Sequence, residues 1–200
     1  MVWIGHDSRQ PLAYNVMRYS VESNASKPIP VNGLFLDQLP MTRQGATQFT
    51  FSRFLVPWLH AQWFGWEGMA MFADEDMVVE GDVHELFDFC ETMHPDWSVA
   101  VMKDQQQFEW PSVMVFNIQN LKHITPEFVD DESNVLFDFA WADKVIGIPQ
   151  LWNHFCGYQE PRHDAKLYHW SQGIPYWEEC KGFAEDPHWF AAYERMTHSA

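Results

Sequence analysis

Six residues, Gly68-Met69-Ala70-Met71-Phe72-Ala73, run without a single charge and then give way at once to Asp74-Glu75-Asp76. A strand with one solvated face alternates apolar and polar residues. An unbroken apolar run of this length belongs to a strand covered on both faces, and such strands sit in sheets sandwiched between helices. The segment therefore predicts an α/β fold: one domain over residues 1–200, with a mostly parallel central sheet flanked by helices.

The rest of the chain supplies the parts this requires. Val2–Gly5 reads as a short buried strand, and Pro28–Leu36 as a second strand region. Between them, Gln10 to about Asn24 carries Leu12, Val16, Tyr19 and Ser23 at helical spacing. Phe51, Phe54, Leu55, Trp58 and Leu59 repeat the helical period, with Pro57 expected to kink that helix or remove one of its backbone bonds. Asp82 is placed to cap a helix over Val83–Cys90. Ser98–Met102, Val113–Phe116, Val145–Ile148 and Lys166–His169 are further strand candidates, and a last helix is expected from about Pro187 to Met196.

Twelve Lys and Arg against 28 Asp and Glu give a formal charge of −16. A protein that grips nucleic acid needs a basic stripe, and this sequence has none. Eleven Trp and 16 Phe can build a core or offer platforms to sugars and bases, and composition leaves both uses open. Cys90, Cys156 and Cys180 are widely spaced without a C-x-x-C pair, which argues against disulfides or a zinc cluster and suits a reducing, cytoplasmic setting. The early strand at Val2–Gly5 leaves no room for a signal peptide. No stretch approaches the ~20 apolar residues that span a bilayer, so no integral membrane segment is expected.

Along an extended chain, residues i and i+2 point the same way, so Asp74 and Asp76 face one side and Glu75 the other. Paired carboxylates at the carboxyl end of a buried strand lie where open α/β sheets bind ligands. Two ionised carboxylates held this close repel unless a cation compensates, and oxygen ligands suit Mn²⁺ or Mg²⁺. His169 closes the candidate strand Lys166–His169, and its imidazole can complete such a site. The turn that follows contains Gly173, where backbone could approach a phosphate.

Taken in order, these segments form a pattern. His6-Asp7 ends the first strand, followed by Phe51-Ser52-Arg53-Phe54-Leu55-Val56-Pro57 and Phe72-Ala73-Asp74-Glu75-Asp76-Met77. Then come Trp110-Pro111-Ser112-Val113-Met114-Val115-Phe116-Asn117, Ile148-Pro149 with Trp152-Asn153, and Ala165-Lys166-Leu167-Tyr168-His169. From Val2 to about Trp177 the chain resembles the retaining GT-A-fold glycosyltransferases akin to family eight, which includes glycogenin and lipopolysaccharide galactosyltransferases. It is most similar to small bacterial and phage members.

The resemblance implies transfer of a hexose, with retention, from a nucleotide-diphosphate sugar such as a UDP-sugar. The acceptor would be a glycan, a lipid-linked group or a protein. Asp74, Asp76 and His169 would hold the metal. His6, Asp7, Arg53, Glu75, Lys103 and Gly173 would contact the nucleotide-sugar, and Trp110, Trp152 and Asn153 would line the sugar and acceptor pocket. Asn117 and Asp138 are the candidates nearest the reacting centre. The chain departs from its relatives at three places. Pro175 and Trp177 follow the metal histidine without the phosphate-binding lysine, leaving Lys103 or Arg53 for that work. Trp110-Pro111-Ser112 replaces a small Asn-Ala-Gly or Asn-Ser-Gly step, and the Asp-Gln pair before Ile146-Gly147-Ile148-Pro149 is missing. Two alternatives stand beside this reading. A non-catalytic nucleotide- or glycan-binding module would explain the departures. A nucleotidyltransferase should carry a glycine-rich loop where this chain has His6-Asp7-Ser8-Arg9-Gln10-Pro11.

Overall fold

The computed structural model describes residues 1–103 and 109–198, apart from the side chain of Glu109. Six strands form the larger sheet: β1 (Val2–Gly5), β2 (Val31–Leu34), β3 (Met69–Ala73), β5 (Val99–Lys103), β6 (Glu109–Asn117) and β7 (Val145–Ile148). They are ordered β2-β1-β3-β6-β5-β7. Only β6 runs against its neighbours, since it pairs antiparallel with both β3 and β5 while the other pairings are parallel. The expected mostly parallel sheet is thus a mixed one with a single reversed strand.

The apolar runs are explained by two cores. Val2, Ile4, Met71, Ala73, Ala100, Met102, Val113 and Val115 point into one, while Trp3, Ala70, Phe72, Val99, Val101, Met114 and Phe116 point into the other. This is the two-residue alternation of a pleated strand, with both of its faces dry. The first core is covered by α1 (Pro11–Asn24) and α3 (Val83–Glu91). The second is covered by α2 (Val56–Phe64), the 3-10 turn Ser52–Leu55 before it, and α4 (Pro126–Asp130).

The helices begin where local chemistry allows. The Asp82 carboxylate accepts from the His84 amide and caps α3, and the Thr125 hydroxyl accepts from Phe128 to cap α4. Pro57 does not sit inside one long helix. The chain runs as a 3-10 turn to Leu55 and the α-helix restarts at Val56, so Pro57 falls in the first turn, where no amide bond is lost. The buried face of α1 is Ala13, Tyr14, Val16, Met17, Ser20 and Val21, rotated from the stripe of Leu12, Val16, Tyr19 and Ser23 that spacing suggested. The helix is squeezed between two bodies, so its dry face is wider than a single stripe.

The second body is a three-stranded sheet, β4-β9-β8, made of β4 (Met77–Val79), β9 (Leu167–His169) and β8 (His154–Phe155). One of its faces, with Met77, Val79, Leu167 and Phe155, closes the first core. The other, with Val78, Cys156 and Tyr168, packs against α1 and the C-terminal helix α5 (Asp186–His198) through Trp170, Trp189 and Ala192. Gly81 lets the chain enter α3 against this sheet, because a Cβ there would lie 2.7 Å from the Lys166 Cβ. No helix among the described residues is long and apolar enough to cross a membrane.

Candidate functional site

All strands that matter to the site deliver their residues to one edge. Asp74 follows β3 directly, and its amide donates to the Ser112 carbonyl of β6 at 3.0 Å. The chain then turns through Glu75 and Asp76 into β4, whose partner β9 ends at His169. Asp74, Asp76 and His169 each offer a ligand atom within 4.8 Å of the others. His169 Nε2 lies 3.3 Å from Asp76 Oδ1. Oδ1 of Asp74 and Oδ1 of Asp76 are both buried and accept no hydrogen bond among the described residues. Each lies near a basic side chain, Arg53 for Asp74 and His169 for Asp76, and two buried carboxylates with an imidazole still offer oxygen and nitrogen donors that fit a hard divalent ion.

Arg53 supplies part of the balance. Its Nη1 lies 3.2 Å from Asp74 Oδ1 and donates to the Pro111 carbonyl at 3.1 Å, while Nε donates to the Phe49 carbonyl. The guanidinium is buried over the rings of Phe49 and Phe72. Burial raises the Asp74 carboxyl above the usual carboxylate range, with Asp76 adding to the rise and Arg53 opposing it.

The imidazole of His169 is aimed by a relay. Asn153 Nδ2 donates to Ser112 Oγ at 2.9 Å, which leaves Asn153 Oδ1 to accept from His169 Nδ1 at 3.2 Å. Nδ1 therefore carries a proton, and Nε2 is the ring atom that faces Asp76. Asn153 is fully buried, so it acts behind His169 rather than as part of a pocket wall. Its sequence signal was its place after Trp152, which pointed to a sugar-pocket role instead.

Glu75 points away from the pair, as the two-residue alternation requires. Both its oxygens accept from the Asp7 amide at 3.1 Å, and His6 Nδ1 is 3.4 Å from Oε2. Burial pushes its carboxyl up to about 9 against the pull of that amide. His6 also meets the rings of Phe35 and Tyr14. The Asp7 carboxylate binds Arg9 Nε at 2.8 Å and is drawn down to about 2, chiefly by that bond. His6, Asp7 and Glu75 thus form one cluster at the end of β1, beside the carboxylate pair.

Around the carboxylates opens a cleft of about 650 Å³, whose walls include Arg53, Asp74, Asp76, His169, Trp110 and Ser112. Its outer wall is aromatic: Trp110 packs on Phe155 with centroids 4.8 Å apart, and Tyr158 stands beside them 67% exposed. Tyr158, Gln159 and Thr47 also line the cleft and had no motif to announce them. The only hint at Tyr158 is the preceding Gly157, whose φ of +78° forms the turn that presents the ring.

Several expected residues are not brought to this cleft. Asn117 ends β6, but β6 is the reversed strand, so Asn117 pairs with Met69 at the far end of β3. Its amide donates to the Pro95 and Trp97 carbonyls there. Asp138 lies on an exposed 3-10 turn outside the cleft, and its Oδ1 accepts from the Ala140 amide. Trp152 is buried in the first core beneath Lys166 rather than lining the cleft. Gly173 sits in the turn after β9 with φ +117°, packed against Cys180. Lys103 ends β5 at the same edge as Asp74, with Nζ donating to the Val145 carbonyl.

No family model matches the chain. Protein CDI of Arabidopsis thaliana is 27% identical over 217 residues, covering 90% of this chain and 82% of that one. Among solved structures, the galactosyltransferase LgtC in complex with donor and acceptor sugar analogs aligns with a TM-score of 0.69 at 11% identity, covering 98% of this chain and 96% of that one. The apo-form glycosyltransferase GlyE of Streptococcus pneumoniae TIGR4 aligns at 0.68 and 15% identity, over 99% of this chain and 62% of that one. A glycosyltransferase involved in glycosylation of the major capsid of PBCV-1 aligns at 0.61 and 12% identity, over 98% and 97% of the two chains. The chain has the GT-A fold that these glycosyltransferases share, and its carboxylate–histidine cluster lies beside the carboxyl ends of β1 and β3, the edge at which open α/β sheets bind ligands in general.

Proposed function

We propose that this chain is a metal-dependent glycosyltransferase that moves a hexose from a nucleotide-diphosphate sugar, a UDP-sugar in the simplest case, to an acceptor at the open side of the cleft. One observation carries the reading. Two buried carboxylate oxygens without hydrogen-bond partners among the described residues meet the imidazole Nε2 of His169 inside a cleft at the sheet edge. Asp74, Asp76 and His169 would hold Mn²⁺ or Mg²⁺, which when bound supplies Lewis-acid neutralisation of the diphosphate leaving group.

The remaining work falls to side chains of this chain. The cluster of His6, Asp7 and Glu75 is the natural place for base and ribose, since it ends the strand beside the metal ligands. Arg53 keeps the Asp74 carboxylate in place, and Lys103 is a second basic group at the same edge, assigned here to phosphate. Trp110 and Tyr158 form the apolar side on which a sugar ring can lie. Among the described residues, the carboxylates lining the cleft are Asp74 and Asp76, both assigned to the metal. Among the described residues no further cleft carboxylate is placed to form a glycosyl ester, so the retaining transfer proposed here would proceed by same-face attack. The three free cysteines suit a reducing, cytoplasmic setting.

The test is a thermal-shift and donor-hydrolysis screen of UDP-, GDP- and CMP-sugars, each with and without Mn²⁺. A metal-dependent rise in melting temperature with slow donor hydrolysis is expected. Both should vanish in Asp74→Asn with Asp76→Asn. Metal-dependent binding without hydrolysis or transfer would favour a non-catalytic nucleotide-binding module. No binding by any donor with metal present would sink the proposal.

A further inference from the structure

The three-stranded sheet has a second face, and it also gathers donor atoms. His154 and Cys156 are two residues apart and project together, away from Asn153, Phe155 and the cleft. Glu185 reaches the same place from the residue before α5. The three donors, an imidazole nitrogen, a sulfur and a carboxylate oxygen, lie within 4.8 Å of one another. All are shut off from solvent, at 2%, 0% and 1% exposure. His154 Nε2 and Glu185 Oε1 are 2.9 Å apart.

A separate observation points to the same spot. Tyr168 is the register partner of His154 and so shares its face, and the two rings meet edge to face at 5.8 Å. Its hydroxyl is wholly buried and has no hydrogen-bond partner among the described residues. A buried, unpartnered oxygen therefore faces the same side as three ligating atoms.

We propose that His154, Cys156 and Glu185 form a second metal site, closed and structural, that takes Zn²⁺, with Tyr168 as the fourth donor. The donor set selects the ion. Thiolate and imidazole favour zinc over the hard cations suited to Asp74 and Asp76, and four protein donors give the tetrahedron of a structural site. Binding releases the Cys156 thiol proton and the Tyr168 hydroxyl proton to solvent. The proton that His154 Nε2 gives to Glu185 moves to Nδ1, freeing Nε2 for the metal, and Glu185 exchanges that bond for one to the metal while still accepting from the Arg162 amide. Its ligands join β8 and β9 to the entrance of α5. The site would brace, from behind, the sheet whose front face carries His169.

Sulfur distinguishes this site from the first, which contains none. The chain is expressed in cobalt-supplemented medium, both as the natural sequence and as Asp74→Asn with Asp76→Asn. Cobalt bound to thiolate gives a near-ultraviolet charge-transfer band that carboxylate and imidazole ligands do not produce. The band is expected in both proteins, with about one equivalent of cobalt retained by the double variant. Zinc should displace it. Cys156→Ser should abolish the band, whereas Cys90→Ser and Cys180→Ser should leave it intact. Absence of the band from the natural sequence overturns the proposal even where Cys156→Ser fails to fold, and leaves His154 and Glu185 as a simple buried ion pair. Persistence of the band in Cys156→Ser overturns it as well. Neither result bears on sugar transfer, because the thiolate band does not report on Asp74 and Asp76.

Discussion

Asp74 and His169 meet in one cleft but are held there by different means. Asp74 rides on β3, a central strand of the six-stranded sheet, with dry cores on both faces and antiparallel β6 beside it. Its position follows from packing. His169 ends a three-residue strand in a small sheet, and its ring direction follows from a single relay through Asn153 to Ser112. One ligand is set by the packing of two cores and the other by a relay of two hydrogen bonds beside the Phe155 ring. Truncating a core residue should therefore damage the first sheet globally, while a single polar change should damage the second locally.

The largest expected effect tests the first half of that contrast. Phe72 is fully buried in β3 and lies beneath the Arg53 guanidinium, 5.1 Å from the ring centroid. Phe72→Ala should cost about 3–5 kcal/mol of global stability through lost burial and the cavity left behind. Urea unfolding followed by circular dichroism measures it. A loss below about 1 kcal/mol would mean that the sheet collapses around the gap and is not the rigid partner.

The second test removes the relay. Asn153→Ala takes away the acceptor for His169 Nδ1 and leaves Ser112 Oγ without its donor. Supporting groups of this kind are worth about 10–100-fold in metal affinity, and that range is expected here by calorimetry with Mn²⁺. Ser112→Ala removes only the far end of the relay and should cost less, about 0.5–1.5 kcal/mol. Equal effects on Mn²⁺ affinity from the two variants would show that His169 does not depend on Asn153 for its tautomer. A milder third change, Trp110→Ala, strips the aromatic wall and should raise the apparent KM for acceptor or donor by roughly tenfold, with Mn²⁺ affinity unchanged.

The same contrast explains what could be read in the sequence. The inner strands of the six-stranded sheet announce themselves because burial on both faces demands apolar runs, as in Ala70 to Ala73 or Val113 to Phe116, whereas the edge strands β2 and β7 are only partly buried. The carboxylate pair follows from the abrupt end of such a run. The small sheet has no such signature: β4 continues an acidic turn, and β8 is two residues long. Direction was also hidden. Asn117 looked like a ligand-edge residue because it ends a strand, yet the reversal of β6 carries it to the opposite end of the sheet. His154, Cys156 and Glu185 could not be grouped by spacing, since the third arrives after a 29-residue excursion from Cys156 (185 − 156).

The smallest effect concerns a part of the larger sheet's edge that is held by charge rather than packing. The loop after β1 is tied down by Asp7, whose carboxylate accepts from Arg9 Nε and from the Gln48 amide. Its pKa falls from an ordinary 3.8 to about 2, mainly through Arg9. A carboxylate depressed in the folded state contributes stability that is fully present above its unfolded pKa. That contribution disappears as pH drops from about 4 toward 2, where both states become protonated. Because the Arg9 side chain is 68% exposed, solvent screens the pair and the contribution should be no more than about 1 kcal/mol. Denaturant midpoints for the natural chain and Asp7→Asn should accordingly differ above pH 4 and converge as the pH approaches 2, with 1 M salt narrowing the gap. Two curves that stay parallel across that range would show that Asp7 holds its loop through hydrogen-bond geometry alone, as Asn153 holds His169. The distinction between charge at the first strand's edge and relay in the small sheet would then dissolve.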